Sequence, residues 1–388
     1  MKAPLRSLMR DESGPSHGPT GDPDGGPGPS YAERVRGCLI GGAVGDALGA
    51  GVEFLTLAEI REIFGPAGVR EMTTAYGVLA PLTDDTQMTL FTAEGLLRAS
   101  VRARDRSGCH VPTVIYRAYQ RWLVTQTMSR PPDDPSGWLA AQPILYSQRA
   151  PGAACLSGLR AVTMGTLDAP ANPTSKGCGA VMRSAPFGLV PGPPREAWRL
   201  AVECAVFTHG HPTGYLAAGA FAWIIRRLLD GDYLLAAVEG ARLRARRQRR
   251  GGEVARALRL AITAATAARA ARVPVTPERV ERIGAGWIAE EALALAVYCA
   301  LACPDPAEAL LAAVNHSGDS DSTGAICGNL LGAAHGEQAL PAKWREALEG
   351  RDLIGRLADD LVREFDRDPR PDAEPAPMPS WHGRYPGA

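Results

Sequence analysis

Two short acidic clusters, Thr83-Asp84-Asp85-Thr86 and Asp319-Ser320-Asp321-Ser322-Thr323, concentrate hard oxygen ligands at two points of the 388-residue chain. Carboxylates and hydroxyls with no Cys or His among them suit Mg²⁺ or Mn²⁺ rather than zinc. Four carboxylates gathered at one place repel one another unless a cation neutralises them. Each cluster also stands just before a segment of helical character, and Asp, Ser and Thr are the preferred N-capping residues. Either cluster alone reads first as a helix cap. The doubled pattern favours a shared metal site, in which one Asp could bridge two cations about 3.5–4 Å apart.

Two further segments carry candidate chemistry. Asn172–Arg183 (NPTSKGCGAVMR) places Gly177 and Gly179 beside Lys176 and Arg183. Exposed backbone N–H groups with adjacent cations can cradle a phosphate, although Gly and Pro also punctuate ordinary turns. Thr208-His209-Gly210-His211-Pro212 offers a His-x-His pair, but no third soft ligand accompanies it, so a hydrogen-bonding or loop-ordering role is expected. His316 precedes the second acidic cluster and could support it from behind.

Helices must position these groups. Ala/Leu-rich stretches at 87–104, 112–127, 195–208, 214–229, 254–272, 287–302 and 322–336 have helical patterning, and strand-like alternation is scarce. The expected fold is all-α, a single compact orthogonal helical bundle over residues 31–368. Within 34–54, Gly37, Gly41, Gly45 and Gly49 recur every fourth residue, leaving one helix face bare. Each glycine costs about 0.5–1 kcal/mol relative to Ala, so the stripe implies close backbone approach. The natural partner is the small-residue segment after the second acidic cluster, with Gly324, Ala325, Gly328, Gly332 and Ala333. Asp46 inside the stripe is expected to be a buried, hydrogen-bonded structural carboxylate.

Lys+Arg and Asp+Glu both total 42, so nothing asks for nucleic acid or an anionic membrane as partner. The run Arg242–Arg250 lacks interleaved aromatics and reads as a solvated helix face. Eight scattered cysteines show no zinc spacing and fit free thiols in a reducing, cytoplasmic setting. No signal-peptide core or membrane span is visible. Residues 1–30 and 369–388, rich in Pro and Gly, are expected to be disordered.

The motifs, in this order, resemble those of the ADP-ribosylglycohydrolase family, in its bacterial, dinitrogenase reductase-activating branch. The stretches are GCLIGGAVGDALGAGVEF (37–54), LTDDTQMTL (82–90), NPTSKGCGAVMRSAPFGL (172–189), THGHPTGYLAAGA (208–220), GWIAEEALALAVYCAL (286–301) and NHSGDSDSTGAICGNLLGAAHG (315–336). Together they span roughly residues 31–360. The resemblance implies a hydrolase that releases ADP-ribose from mono-ADP-ribosylated protein, most typically from arginine, using two Mg²⁺ or Mn²⁺ ions. Thr83, Asp84 and Asp85 would hold one metal and Asp319, Asp321 and Ser322 the other, with Asp321 bridging. Glu53 matches the family's mobile acidic residue, and Asp85 or Glu53 would be the general base. Lys176, Gly177, Cys178, Gly179 and Met182 would hold the diphosphate and distal ribose, with His209 lining the cleft. The adenine-stacking ring has no clear candidate beyond Tyr146 and Tyr215. Some bacterial members act as immunity proteins, which would give residues 1–30 a toxin to reach. A hydrolase of another ADP-ribose conjugate or nucleotide metabolite, and a non-catalytic binding protein, are the alternatives.

Overall fold

The structure, a computed structural model, describes residues 28–106, 108–366 and 378–387. In chain order the helices are α1 (Tyr31–Gly49), α2 (Leu57–Phe64), α3 (Asp84–Asp105), α4 (Val111–Thr125), α5 (Ala153–Leu159), α6 (Ala185–Leu189), α7 (Pro194–Ala205), α8 (Pro212–Leu229), α9 (Leu234–Arg247) and α10 (Gly252–Ala270). They continue with α11 (Pro277–Val280), α12 (Ala289–Ala302), α13 (Pro306–Val314), α14 (Ser320–His335), α15 (Ala342–Ala347), α16 (Arg351–Phe365) and α17 (Met378–Arg384). Among the described residues the only sheet is one antiparallel hairpin, β1 (Thr74–Ala75) with β2 (Val78–Leu79). The all-α expectation holds, and the seven predicted helical stretches coincide with α3, α4, α7, α8, α10, α12 and α14.

Local signals set the helix starts. Ser30 and Glu33 form a reciprocal capping box on α1, and Thr56 with Glu59 does the same for α2. Proline opens the first turn of α4, α7, α8 and α13, where its missing N–H costs nothing.

The centre of the molecule is the antiparallel pair α1 and α14. A Cβ placed on Gly37 would lie 2.3 Å from the Gly332 carbonyl oxygen, one on Gly41 2.3 Å from that of Gly328, and one on Gly45 1.9 Å from that of Gly324. At the last rung a Cβ on Gly49 would lie 2.3 Å from the Ser320 carbonyl oxygen. Four rungs of bare backbone thus bring two helices closer than any side chain allows, as the glycine period predicts. Asn329 Nδ2 donates to the Cys38 carbonyl across the same seam (2.7 Å). Helices α3, α8, α12, α13 and α16 pack around this pair.

The chain end departs from expectation. Within the segment expected to be disordered, α17 docks on the bundle, with Trp381 and Tyr385 buried. The Tyr385 hydroxyl donates to Asp360 Oδ2 (2.5 Å), and Arg384 pairs with the same carboxylate at 2.7 Å. Two aromatics supply apolar surface that the surrounding Pro/Gly composition conceals. Residues 1–27 lie outside the described residues. In α9, Arg242 pairs with Glu239 and Arg244 lies over the rings of Trp198 and Trp223, 5.1 Å from each. Arg246 and Arg247 are exposed, as a solvated face requires. All eight cysteines are free thiols. Among the described residues no helix is long and apolar enough to cross a membrane.

Candidate active site

The close α1–α14 approach carries the start of α14 to the start of α3. Six carboxylates, Asp46, Glu53, Asp84, Asp85, Asp319 and Asp321, are buried there. Carboxylate oxygens of Glu53, Asp319 and Asp321 lie within 4.8 Å of one another. Burial first, and then the charge of Asp321, pushes Asp84, Asp85 and Asp319 well above the usual carboxylate range. The same two causes raise Asp46 to about 7 and Glu53 to about 11, with Asp319 and Asp84 adding to the effect on Glu53. Asp321 is thus the hub through which the two clusters feel each other.

Capping accounts for only part of this acidity. Thr83 does cap α3, its hydroxyl accepting from the Asp85 N–H at 3.3 Å. Asp319 occupies the N-cap of α14, yet its side chain makes no capping bond. Its Oδ2 accepts instead from the Cys178 thiol at 2.8 Å. Burial and the neighbouring carboxylates hold that thiol protonated. Asp321 Oδ1 accepts from the Ser322 N–H (2.8 Å), and the Ser322 hydroxyl faces the sulfurs of Cys178 and Met182.

Asp46 is the structural carboxylate that its surroundings suggest. Its Oδ2 takes the N–H of Thr83 (3.0 Å), the N–H of Thr86 (3.2 Å) and the Thr86 hydroxyl (2.5 Å). In this way the glycine helix α1 locks the acidic first turn of α3. Its other oxygen, Asp46 Oδ1, is buried without a partner, as are Glu53 Oε2 and Asp85 Oδ1. Among the described residues no Lys or Arg pairs with any of the six carboxylates. Buried, unpartnered, oxygen-only donors are what a bound divalent cation satisfies. The residues present therefore fit such an ion.

The Lys176–Met182 segment folds against the acidic cluster. Cys178 N–H donates to the Trp287 carbonyl (3.2 Å) and Ala289 N–H to the Lys176 carbonyl (2.8 Å), pinning the loop to the start of α12. Thr89 of α3 bonds the Met182 carbonyl at 3.1 Å. The loop's cations are engaged internally, which departs from a simple cationic cradle. Lys176 Nζ is paired with Glu290 (2.5 Å) and Glu253 (3.2 Å). Arg183 is buried, its guanidinium 4.4 Å from the Tyr119 ring centroid. Gly179 is required by packing: a Cβ there would lie 2.9 Å from Cys155 Sγ and 3.0 Å from His209 Cε1.

The two histidines of the His-x-His pair go separate ways. His209 is 2% exposed and faces the Gly177–Gly179 turn. His211 caps α8, accepting the Thr213 N–H on Nδ1 (3.2 Å). His316 braces the loop before α14 through the Ala313 carbonyl (3.0 Å) and the Thr323 hydroxyl (2.9 Å), so its support of the cluster is indirect. Tyr146 is buried with its hydroxyl on the Ala140 carbonyl (2.6 Å), and Tyr215 is half-buried against Ala180 and Ala218.

Three aromatic residues around the site escaped sequence reasoning. Phe54, next to Glu53, stacks on Trp287 with ring centroids 5.9 Å apart and planes at 22°, yet they are 69% and 42% exposed. Tyr76 sits at the hairpin tip with φ +53° beside Gly77 at φ +76°. Such a turn normally takes Asn or Asp before Gly, so a tyrosine there is strained. Burial and the charges of Glu53, Asp321, Asp46 and Asp84 raise its hydroxyl pKa, which places it beside the cluster. The Tyr76-Gly77 dipeptide between two short β-prone runs was the available signal for the hairpin.

The all-α bundle thus buries an acidic centre of six carboxylates beside a glycine-rich loop. The ADP-ribosylglycohydrolase family model matches residues 27–371, and the chain belongs to that family. It is 28% identical over 331 residues to ADP-ribosyl-[dinitrogen reductase] glycohydrolase of Rhodospirillum rubrum, covering 83% of this chain and 92% of the relative. It is 24% identical to ADP-ribosylhydrolase ARH3 of Bos taurus, covering 86% and 93%. A solved structure, titled ADP-ribosylglycohydrolase-related protein complex, superposes with a TM-score of 0.58 at 27% identity, covering 87% of this chain and 99% of that one.

Proposed function

We propose that this hydrolase removes ADP-ribose from mono-ADP-ribosylated protein by cleaving an N-glycosidic bond to arginine, with two divalent cations, Mg²⁺ or Mn²⁺, at the acidic centre. The observation that carries the metal is the buried convergence of six carboxylates with three orphaned oxygens and, among the described residues, no cationic partner. Thr83, Asp84 and Asp85 from α3 would hold one ion and Asp319, Asp321 and Ser322 from α14 the other, with the central Asp321 between them. When bound, the ions supply Lewis acidity toward the ribose hydroxyls and the attacking water.

The chain's own groups do the rest. The loop from Lys176 to Met182 and the edge of His209 line the place for the diphosphate and distal ribose. Because Lys176 is already paired with Glu290 and Glu253, and the N–H groups of Cys178, Val181 and Met182 are bonded within the protein, the N–H groups of Gly177 and Gly179 would supply most of that recognition. Glu53 and Asp85 each keep a buried oxygen free, and with cations bound to offset the mutual repulsion that keeps them protonated, either would be ionised to take a proton from water as it attacks the anomeric carbon. Water adds to that carbon, the carbon–nitrogen bond breaks with oxocarbenium character, and arginine departs with the proton. The exposed Phe54–Trp287 pair beside Glu53 supports a planar cationic acceptor, because a guanidinium stacks favourably on an indole face.

The test uses an arginine-ADP-ribosylated protein incubated with Mg²⁺, with and without EDTA, and with the Asp319→Ala variant. Metal-dependent release of free ADP-ribose, lost in the variant while its unfolding stays cooperative, is the expected result. Full activity of the variant in EDTA would overturn the reading. Release only from serine or nucleic-acid conjugates would move the acceptor and keep the hydrolase.

A further inference from the structure

His209 lies at the end of a hydrogen-bond chain that fixes which of its nitrogens carries the proton. The chain starts at Arg183, which can only donate. Its Nη2 donates to the Thr208 hydroxyl oxygen at 2.6 Å. That hydroxyl has one proton left to give. His209 Nδ1 stands 2.8 Å away and the Ala205 carbonyl 3.4 Å away. The nearer acceptor is the ring nitrogen; with the Thr208 hydroxyl donating its hydrogen bond there, Nδ1 carries no proton of its own. In a neutral imidazole the proton then resides on Nε2.

Neutrality has its own causes. Burial, followed by the nearby Arg183 charge, lowers the His209 pKa to about 3. Arg183 itself is an expensive choice. It is 1% exposed, and among the described residues no carboxylate pairs with it. Its remaining neighbours are the Tyr119 ring face and the sulfurs of Cys155 (3.5 Å) and Met88 (3.6 Å). A buried cation held by neutral groups costs stability, which points to a role beyond packing.

The free edge of the ring faces the ligand loop. A Cβ built on Gly177 would lie 3.4 Å from Nε2, and one built on Gly179 3.3 Å from it. The two glycines set no side chain against that edge, and no hydrogen bond from a described residue occupies Nε2.

We propose that Thr208 and Arg183 are positioning residues, which lock His209 as the neutral Nε2–H tautomer so that it presents a hydrogen-bond donor to an oxygen of the ligand held at Gly177–Gly179. This rests on the functional reading above in one respect only, that the loop receives ADP-ribose. The chemistry selects for an acceptor, a phosphate or ribose oxygen, and against a ligand group that itself donates. A charged imidazolium is never needed, so recognition does not follow a histidine titration near neutrality.

The test is ¹⁵N NMR of the intact, histidine-labelled protein without metal or ligand, with the His209 signals identified by their loss in His209→Asn. In the native chain Nδ1 should resonate as an unprotonated acceptor nitrogen and Nε2 as a protonated one. Thr208→Val removes the hydroxyl at nearly constant shape. It should shift both signals towards a mixture of tautomers and weaken ADP-ribose binding by about 3- to 10-fold, the worth of one neutral hydrogen bond. Thr208→Ser should restore both the shifts and the affinity, a rescue that a merely structural role for the methyl group would not produce. A native ring protonated on Nδ1, or a valine variant with native shifts and affinity, overturns the proposal. The ring shifts need no substrate, so the predicted tautomer in a chain that fails to bind ADP-ribose would refute the functional reading and leave this one standing. Tight ADP-ribose binding with the proton on Nδ1 would do the reverse.

Discussion

The α1–α14 ladder makes a sharp prediction about two glycines that sequence statistics treat alike. Gly328 and Gly355 both lie inside helices, and propensity alone says that Ala at either should stabilise by about 0.5–1 kcal/mol. Their surroundings reverse one of the signs. A Cβ on Gly328 would lie 1.9 Å from the Gly41 carbonyl oxygen, 2.5 Å from its carbon and 3.1 Å from the Gly42 nitrogen. Real Cβ atoms do not approach below 3.0 Å, so the two backbones have to part by about 1 Å. At Gly355 the new methyl group meets only the guanidinium of Arg36, at 3.5 Å, an ordinary contact with a side chain that can move. Overpacking costs typically 1–3 kcal/mol, and here the obstacle is backbone on both sides, so Gly328→Ala should lose about 2–3 kcal/mol. Gly355→Ala should gain up to about 1 kcal/mol. Urea unfolding of the metal-free proteins reads both values. Separation of the helices also moves Asp321 and Ser322 relative to Asp84, so calorimetric Mg²⁺ affinity should fall in Gly328→Ala and not in Gly355→Ala. If Gly328→Ala proved as stable as the parent, the close-approach argument would be wrong, and with it the account of how α14 reaches α3.

The metal-free protein should lose stability as pH rises. An ordinary Asp ionises near 4, and folding lifts Asp46 to about 7 and Glu53 to about 11. Their contribution is intact below about pH 4 and is lost through 7 and beyond as the folded protein is forced to hold the charges. Saturating Mg²⁺ should remove or invert that slope, and a metal-free stability that is flat or rising over this range would contradict it. Trp287→Ala should raise KM for an arginine-linked substrate roughly 3- to 10-fold with little change in kcat, in keeping with the cation–π energy at a half-exposed ring. An equal effect on a serine-linked substrate would remove the guanidinium from the argument. Tyr385→Phe takes away a buried hydrogen bond to Asp360 and should cost about 1–2 kcal/mol in thermal or urea unfolding; no loss would mean that α17 docks through its aromatic rings alone.

What the sequence disclosed, and what it concealed, follows from the range of the interactions. The seven helical stretches were legible because their signals are local: apolar period, first-turn proline, capping hydroxyl. The glycine period was legible for a different reason. Bare backbone every fourth residue has one efficient use, and Gly324, Gly328 and Gly332 supply a partner with the same period. The acidic clusters could be found but not interpreted from either one alone, because Thr83 and Asp319 occupy identical capping positions. Only the folded chain shows that the Thr83 hydroxyl caps its helix while the Asp319 carboxylate leaves that task undone and turns to Cys178. The partners of Lys176 were hidden because Glu253 and Glu290 are remote in sequence, yet they decide whether its charge is available to a phosphate. The aromatic rim was hidden for the same reason: Phe54 and Trp287 are far apart in sequence and meet only because the chain after α1 reaches the point where the start of α12 packs on the Lys176–Met182 loop. Local rules thus reveal which groups exist and which faces must touch. The state of each group, whether a carboxylate caps or binds, a lysine is free or paired, a histidine donates or accepts, is set by neighbours that arrive through the fold.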